Sequence, residues 1–349
     1  MPSISVAMAT YRGSRYLTEQ LESIAAQTLA PIEIHIGDDG SDDGTEDIVR
    51  TFSEATEIPV FFHKNESRLG YSENFIQTAK RCRGEWIAFS DQDDVWLPNK
   101  LQACMEAVHA LGSKTTLSVI HTGQVVTEDL KDTGTFIPGD LVSGVRAPLT
   151  HELFWAHYGF AQVFRRELLH EIDSANRVPT VFTNIDRYPH DVWISVLSNV
   201  LGDTLHLDQP LVLYRRHANT TTGTAKSTKK SSLSTILATG GDHYDHLSEV
   251  AFEAAICLDA HAKATERGDW KHRLQTGSDA YGNLGRAFSR RARAYRSPSL
   301  LTRFRCIYEL ATKPGYFGLG ASSLGAKALI KDMALALFPV ARLPERPPT

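Results

Sequence analysis

Gly84-Glu-Trp-Ile-Ala-Phe-Ser-Asp-Gln-Asp-Asp-Val-Trp-Leu-Pro98 is the stretch on which the fold turns. Residues 86–89 form a short apolar run of the kind that makes a buried strand. Three carboxylates in four residues, Asp91, Asp93 and Asp94, follow it directly. Pro98 then opens an amphipathic stretch, 98–111, as proline does at the first turn of a helix. Strand, acidic turn and helix in that order predict one βα unit of a parallel sheet.

The same alternation extends to both sides. Strands are predicted at 4–8, 32–36, 60–62 and 117–121, and helices at 16–27, 45–52 and 72–83. The helix at 16–27 has Leu17, Leu21, Ile24 and Ala25 on one face. The expected fold is therefore α/β, Rossmann-like, with a mostly parallel sheet flanked by helices on both faces. After Glu128 the rhythm breaks. Residues 132–148 are rich in Gly, Pro and Thr and read as loop, and 151–172 becomes helical towards its end. A helix is expected at 191–201 and short strands at 205–207 and 211–214. Residues 220–234 are rich in Thr, Ser and Lys without apolar periodicity and read as a mobile loop or linker. From Ile236 onward the pattern is helical.

In an open parallel sheet, ligands bind beyond the carboxyl ends of the strands. Three polar clusters fall there: Ala9-Thr10-Tyr11-Arg12-Gly13, Asp38-Asp39-Gly40-Ser41 and Asp91-Gln92-Asp93-Asp94. Asp-Asp-Gly-Ser alone is also an ordinary turn and helix cap. The Asp91–Asp94 carboxylates repel one another unless a cation or donors compensate. Hard oxygen ligands suit Mg²⁺ or Mn²⁺, ions that commonly bridge phosphates, and the alternative is a solvated acidic turn. No GxGxxG follows the first strand and no GxxxxGK[ST] occurs, so a dinucleotide-binding site and a P-loop NTPase both lack their phosphate loops. Bound phosphates would need a metal, which fits a nucleoside-diphosphate donor.

These residues, with Ser5-Val-Ala-Met-Ala-Thr-Tyr11, Glu19-Gln-Leu-Glu-Ser-Ile24 and Gln27-Thr28, resemble family 2 inverting glycosyltransferases of the GT-A fold. Ser-Asp-Gln-Asp-Asp-x-Trp resembles the bacterial rhamnosyltransferase-like branch, and the similarity covers roughly residues 3–220. The resemblance implies roles by matching position. Thr10 and Tyr11 lie along the nucleotide base, with Tyr11 stacked on it. Asp39 accepts from the pyrimidine imide N–H, with Asp38 near the ribose. Asp91 and Asp93 form the DxD, with Asp93 the direct metal ligand. Asp94 faces the donor sugar or the acceptor. The general base is an acid opening a helix in the acceptor half, which His190-Asp191-Val-Trp193 matches at Asp191. From the residues alone, Asp191 could equally be a helix cap. His217, in Tyr214-Arg-Arg-His-Ala-Asn219, matches a third metal ligand, while Arg215 and Arg216 add charge for the diphosphate. Residue 12 is Arg where the family more often has Asn. Trp155, His157 and Trp193 could line the acceptor cleft, since aromatic faces suit sugar rings, although Trp is also common core material.

The resemblance implies a metal-dependent transferase that takes a dTDP- or UDP-sugar, with dTDP-L-rhamnose the leading donor. It acts on a lipid-linked or oligosaccharide acceptor of a bacterial surface glycan. The rivals are a UDP-hexose or N-acetylhexosamine transferase of the same family and a non-catalytic nucleotide-sugar or glycan-binding subunit.

The net charge of −4 is unevenly divided. Between residues 283 and 343 there are eleven Lys or Arg against Glu309 and Asp332, a net of +9, whereas residues 1–282 carry a net of −13. Such asymmetry suggests a polyanionic partner. An apolar series (Leu329, Ile330, Met333, Leu335, Leu337, Phe338) beside Lys327 and Lys331 suits a helix lying in an anionic membrane interface. The alternatives are a solvated basic face over a core-packing helix, and nucleic acid, which no recognised module supports. Residues 1–220 are thus expected to form the GT-A domain, with a nucleotide-binding half (1–125) and an acceptor half (126–220). Residues 221–235 form a flexible linker and 236–349 a helical basic region with a membrane-associating segment at 283–343. Four cysteines without a CxxC pair read as reduced thiols. Met-Pro-Ser-Ile-Ser-Val lacks the basic and apolar regions of a signal peptide. The expected location is cytoplasmic, peripheral on the inner face of the membrane.

Overall fold

The computed structural model describes residues 2–154, 156–170, 173–178, 187–217, 240–317 and 323–337. Trp155 and the expected linker at 221–235 lie outside them. The described residues divide into two compact units: 2–150, 154–177 and 188–217 form the first, and 151–153, 178, 187 and the helices beyond 240 the second.

The first unit is built on one sheet. Strands β1 (Ile4–Thr10), β2 (Glu33–Asp38), β3 (Val60–Lys64) and β4 (Trp86–Ser90) are mutually parallel, in the order β3-β2-β1-β4. Helices α1 (Leu17–Ala25), α2 (Thr45–Ala55) and α3 (Tyr71–Ala79) connect them. β1, β2 and β4 are buried on both faces, and β1 and β4 are accordingly near-continuous apolar runs, whereas β2 alternates and buries Glu33 and His35. Two-residue β5 (Val95–Trp96) precedes α4 (Lys100–Leu111), which leads into β6 (Thr116–Val126).

Six of the ten strands run one way, and the sheet is completed by antiparallel strands. β9 (Gln162–Arg165) lies between β4 and β6 and is antiparallel to both. Residues 132–148 are not all loop: β7 (Asp132–Ile137) pairs antiparallel with β6, and β8 (Gly144–Arg146) pairs antiparallel with β10 (Asp203–Arg215). β7 is exposed along all but its last residue, so no apolar alternation marks it as a strand. The expected strands at 205–207 and 211–214 are one strand, β10, parallel to β6 with register shifts around Pro210. Within 151–172, the helical end is the short α5 (Glu167–His170), preceded by a 3₁₀ turn at Gly159–Ala161 and by β9. Helix α6 (His190–Leu201) follows.

The antiparallel β9 has a geometric consequence. Crossing two antiparallel pairings restores direction, so β6 and β10 run the same way as β4. The carboxyl ends of β1, β2, β4, β6 and β10 therefore meet at one edge of the sheet.

The second unit is helical: α7 (Gly241–Ala264), α8 (Gly268–Arg296), α9 (Leu300–Thr312) and α10 (Gly325–Leu337). α7 and α8 approach closely, because Gly285 leaves room for Phe252 and Ser248 Oγ donates to the Gly285 carbonyl at 2.9 Å. Ala287, Ile307, Leu310, Tyr316 and Ala336 form a small core, with Ala328 and Leu329 packed against it. Arg291 on α8 makes a bidentate pair with Asp332 on α10 (2.8 Å each), and the hydroxyls of Tyr295 and Tyr316 donate to the same carboxylate. Four of the eleven bases of the segment 283–343 pair with acids among the described residues. Arg296 pairs with Asp242 and Asp245, and Arg290 and Arg305 share Glu309. None of the four cysteines forms a disulfide. Among the described residues no helix is long and apolar enough to cross a membrane.

Candidate functional site

The β4 carboxyl end delivers Asp91, Gln92, Asp93 and Asp94, and the β10 end delivers Arg215, Arg216 and His217. His217 Nε2 lies 2.8 Å from Asp93 Oδ2, so two residues 124 positions apart share a hydrogen bond. The Tyr16 ring lies 4.8 Å from the His217 ring, and its hydroxyl donates to Glu128 Oε1 at 2.6 Å. Burial, reinforced by that hydrogen bond, pushes the Tyr16 phenol up to about 12.

Arg215 is spent on the architecture of this edge. Its backbone N–H donates to Asp94 Oδ1 (3.0 Å), its Nε to the Asp93 carbonyl (2.8 Å), its Nη1 to the Glu128 carbonyl (2.7 Å) and its Nη2 to Glu19. The guanidinium fork is committed to three groups and the backbone N–H to a fourth, so Arg215 clamps the acidic turn. Arg216 is half-buried, with Nη1 3.1 Å from the Tyr214 hydroxyl.

The acidic turn is held in a costly state. Burial, then the charges of Asp93 and Asp191, raise the Asp91 carboxyl to about 7. Burial and the neighbouring Asp93 and Asp91 raise Asp94 well above the usual range. Asp94 is 0% exposed and its Oδ2 accepts no hydrogen bond, so it faces the protein interior and not a sugar. The Lys100 ammonium lies over the Trp96 ring (3.6 Å) and donates to the Phe160 carbonyl (2.8 Å). Burial pulls it down to about 7 against the opposing effect of Asp94 and Asp91. One buried ammonium does not offset this group of carboxylates. The raised Asp91 carboxyl, with Asp93 and the imidazole of His217 beside it, suits the chemistry of a hard divalent cation. Asp91, Asp93 and His217 offer the donor atoms that Mn²⁺ accepts readily and Mg²⁺ less so.

Gln92, the middle residue of the turn, is a member that spacing alone does not reveal. Its Oε1 accepts from the Tyr11 N–H (3.0 Å) and its Nε2 donates to the Tyr11 carbonyl (3.2 Å), clasping the loop after β1. A Cβ at Gly13 would stand 2.4 Å from that Oε1. Gly13→Ala is therefore expected to break the clasp and cost about 1–3 kcal/mol of stability, the range for overpacking. Thermal unfolding of Gly13→Ala, Gln92→Ala and the double variant checks this. The alanine at 13 should cost much less once Gln92 is gone, and strictly additive losses would refute the clash.

The other two clusters separate by role. Thr10 Oγ donates to Asp38 Oδ2 (2.9 Å), and Asp38 also accepts from Gly40 N, Ser41 N and Ser41 Oγ, so this pair fixes the turn after β2. Asp39 accepts from Asn65 Nδ2 (2.8 Å), Leu69 N (3.1 Å) and Gly70 N (2.8 Å), fixing the loop before α3. That loop carries Arg68, whose guanidinium lies 4.0 Å from the Tyr11 ring centroid. Arg12 has a φ of 51°, a left-handed conformation in which Asn is comfortable, and its side chain pairs with exposed Asp42.

Asp191 stands in the first turn of α6. Its Oδ1 accepts from the Val192 N–H at 2.8 Å, and its carbonyl accepts from Gln162 Nε2 and Ser195 Oγ. Burial holds its carboxyl up at about 6, against the pull of backbone N–H groups including those of Val192 and Gly159. Its charge reaches Asp91 and Tyr71. The start of α3 grips this helix: Ser72 Oγ accepts from the His190 N–H (2.9 Å), and Phe75 stacks on the His190 ring at 4.1 Å. Trp193 is 0% exposed and His157 is buried, so neither offers a ring to a sugar. On α6 the Trp193 position faces the core, opposite to Asp191. Tyr71, half-exposed beside Asp191, is the aromatic there that motif reading misses.

The sequence profile described as glycosyl transferase family 2 matches residues 5–173. The chain is similar to an uncharacterized glycosyltransferase of Nostoc sp. (strain PCC 7120), at 30% identity over 234 residues, covering 65% of this chain and 69% of that protein. An uncharacterized protein of Mycobacterium tuberculosis is 28% identical over 223 residues, covering 62% of this chain and 59% of its own length. Among solved structures, S. aureus TarS 1–349 in complex with UDP-GlcNAc superposes with a TM-score of 0.52 at 16% identity, covering 88% of this chain and 85% of that one. At that identity the likeness is one of fold, which is GT-A-like with a helical carboxy-terminal part.

Proposed function

The chain belongs to glycosyl transferase family 2, and on that footing we propose that it moves a sugar from a nucleoside-diphosphate donor onto a hydroxyl, with inversion at the anomeric carbon. One observation carries the mechanism: a carboxyl raised to about 6, Asp191, acts electrostatically on the same acidic turn that pairs with His217. Asp191 takes the proton of the acceptor hydroxyl as its oxygen attacks the anomeric carbon. The new C–O bond forms as the bond to the diphosphate oxygen breaks, and the nucleoside diphosphate leaves with that electron pair. Asp93 and His217, with Asp91, hold Mn²⁺ or Mg²⁺, which when bound offsets the charge on the leaving diphosphate. Tyr11 stacks on the base, Asp39 accepts from its imide, and Thr10 and Asp38 shape the turn beneath it. Arg68 lies over the Tyr11 ring and moves aside or stacks with the base.

The Ser-Asp-Gln-Asp-Asp-x-Trp form favours dTDP-L-rhamnose, with an α-L-rhamnosyl product. A second reading, a UDP-hexose or UDP-N-acetylhexosamine donor, is supported by the UDP-GlcNAc complex of the TarS fold relative. A thermal-shift panel of dTDP- and UDP-sugars with Mn²⁺ separates the two, because a ligand stabilises only the fold that binds it. Donor hydrolysis and transfer are then followed by mass spectrometry. Binding without turnover would make the chain a nucleotide-sugar-binding subunit, and no response to any nucleotide sugar would refute the proposal. The acceptor is a lipid-linked or oligosaccharide glycan at the cytoplasmic face of a membrane, and nucleic acid has no part.

The state of Asp191 sets a pH dependence. A base works unprotonated, so turnover should fall about tenfold per pH unit below about 6 and level off above it. Bound metal, by adding positive charge nearby, should move that limb to lower pH. A pH–rate profile without an acid limb assignable to Asp191 would exclude it as the base.

A further inference from the structure

Glu33 and His35 are two residues apart on β2, so their side chains leave the same face of the sheet, while Ile34 and Ile36 enter the main core on the other. Helix α3 covers the polar face: Asn74 Nδ2 donates to the Gly37 carbonyl at 2.8 Å, and Cys82 follows the end of the helix. Glu33, His35 and Cys82 are 0%, 6% and 2% exposed. One ligand atom from each lies within 4.8 Å of those of the other two. The cluster stands at the amino-terminal end of β2, whereas Asp38, Asp39 and the acidic turn lie at the carboxyl edge of the sheet.

Ordinary packing accounts for part of this cluster. Glu33 Oε1 accepts from Ser5 Oγ (2.7 Å) and the Arg83 N–H, and its Oε2 accepts from Arg83 Nε (2.9 Å). Two other atoms are left over. His35 Nε2 is buried and makes no hydrogen bond with a described residue, although it stands 3.4 Å from Glu33 Oε2. The Cys82 thiol reaches only carbonyl oxygens, at 3.8 Å from Thr78 and 3.9 Å from Val6. The other ring nitrogen of His35, Nδ1, lies 3.0 Å from His63 Nε2, with the two rings inclined by only 7°. With the His35 proton on Nδ1, His63 accepts it and the Nε2 lone pair is turned towards the Glu33 carboxylate. Two such electron-rich atoms repel unless a cation lies between them. With the proton on Nε2, a buried N–H has no acceptor in hydrogen-bonding geometry. A metal-binding histidine is held in the first way, its second nitrogen donating to a fixed acceptor.

We propose that Glu33, His35 and Cys82 form a Zn²⁺ site at the amino-terminal edge of the sheet, separate from the acidic turn. Thiolate, imidazole and carboxylate together suit Zn²⁺ better than Mg²⁺ or Mn²⁺. Bond lengths of about 2.0–2.3 Å set neighbouring ligands of a tetrahedral Zn²⁺ about 3.3–3.6 Å apart. Glu33 Oε2 and His35 Nε2 already have that spacing. Burial and the Glu33 charge hold the Cys82 thiol well above its ordinary range, so the ion enters as the thiol proton leaves to solvent. Three protein ligands leave a fourth position to water. The ion ties the start of β2 to the end of α3, a stabilising role that is independent of sugar transfer.

The test is titration of the full chain carrying Asp93→Ala, a background that lacks one carboxylate of the acidic turn, with Co²⁺ and then Zn²⁺. Co²⁺ should give a thiolate-to-metal charge-transfer band in the near ultraviolet that saturates at one ion per chain, and Zn²⁺ should displace it. Zn²⁺ should also raise the melting temperature. Cys82→Ser and His35→Gln should each remove the band and weaken Zn²⁺ binding by more than about 100-fold. His63→Ala, which takes away only the acceptor that orients His35, should weaken binding by about 10–100-fold while the band persists at saturation. A purely structural role for these residues would give no band in the parent chain. That result would overturn the proposal whether or not the variants fold, and so would a band that survives Cys82→Ser or is removed by Cys257→Ser. Donor hydrolysis by the chain with Asp93 intact reports on the transferase reading separately.

Discussion

Asp191→Asn is expected to lower kcat by about 10²–10⁴-fold while leaving the affinity for the nucleotide sugar within about a factor of two, the signature of a lost general base. The amide keeps the size of the side chain and can still accept from the Val192 N–H, so α6 should keep its start. What is lost is the basic oxygen. The contrast with a capping role is quantitative. A cap replaced by a comparable acceptor costs little stability, and stability alone does not change kcat by orders of magnitude. Melting temperature and kcat measured together decide between the two roles. Loss of stability with unchanged turnover in the surviving enzyme would make Asp191 a structural residue and place the base elsewhere.

Asp93→Ala should have an effect of similar size through a different step. Removing it deletes one carboxylate donor and the hydrogen-bond partner of His217. Metal-dependent charge stabilisation is worth several kcal/mol, so the loss in turnover should be about 10³-fold or more. Chelation of the wild type should produce the same deficit, and added Mn²⁺ should reverse it only in the wild type. Titration of the protein with Mn²⁺, followed by the paramagnetic signal of the free ion, should show weakened binding in Asp93→Ala and in His217→Ala. Undiminished Mn²⁺ binding in both variants would remove these two residues from the metal site. Asp93→Ala also lowers the negative charge around Asp91 and Asp94 and is therefore expected to raise stability without metal, because those buried carboxyls repel Asp93. A variant that melts higher than the metal-free wild type, and gains little from Mn²⁺, would show site strain and function traded in one residue.

Much of this was legible in the sequence, for physical reasons that differ from residue to residue. Gly84 to Pro98 identified the strand, the acidic turn and the following helix, because buried parallel strands require continuous apolar runs and repelling carboxylates announce themselves. Asp38 and Asp39 were found as a cluster, but their partners (Thr10 for one, the 65–70 loop for the other) were not, since nothing local records where a side chain points. Trp193 illustrates the same limit. Its type suits both a sugar platform and a core, and only the rotation of α6 assigns it to the core. By residue type Arg215 reads as a diphosphate ligand beside His217, and its partners Glu19, Asp93, Asp94 and Glu128 are far away in sequence. β7 escaped notice because an exposed edge strand needs no apolar alternation.

The sequence by itself determined the βα alternation, the family, and the residues able to carry acid–base and metal chemistry, because these depend on local periodicity and residue type. Tertiary structure alone decided which of them meet. The antiparallel insertion of β9 makes β10 run parallel to β4 and brings His217 to Asp93. It also decided which charges of residues 283–343 pair: Glu309 and Asp332 are already counted in the net of +9, and Asp242 and Asp245 add two acids from outside the segment. The reason is common to both: strand direction and charge pairing are set by non-local contacts, which composition and spacing do not encode.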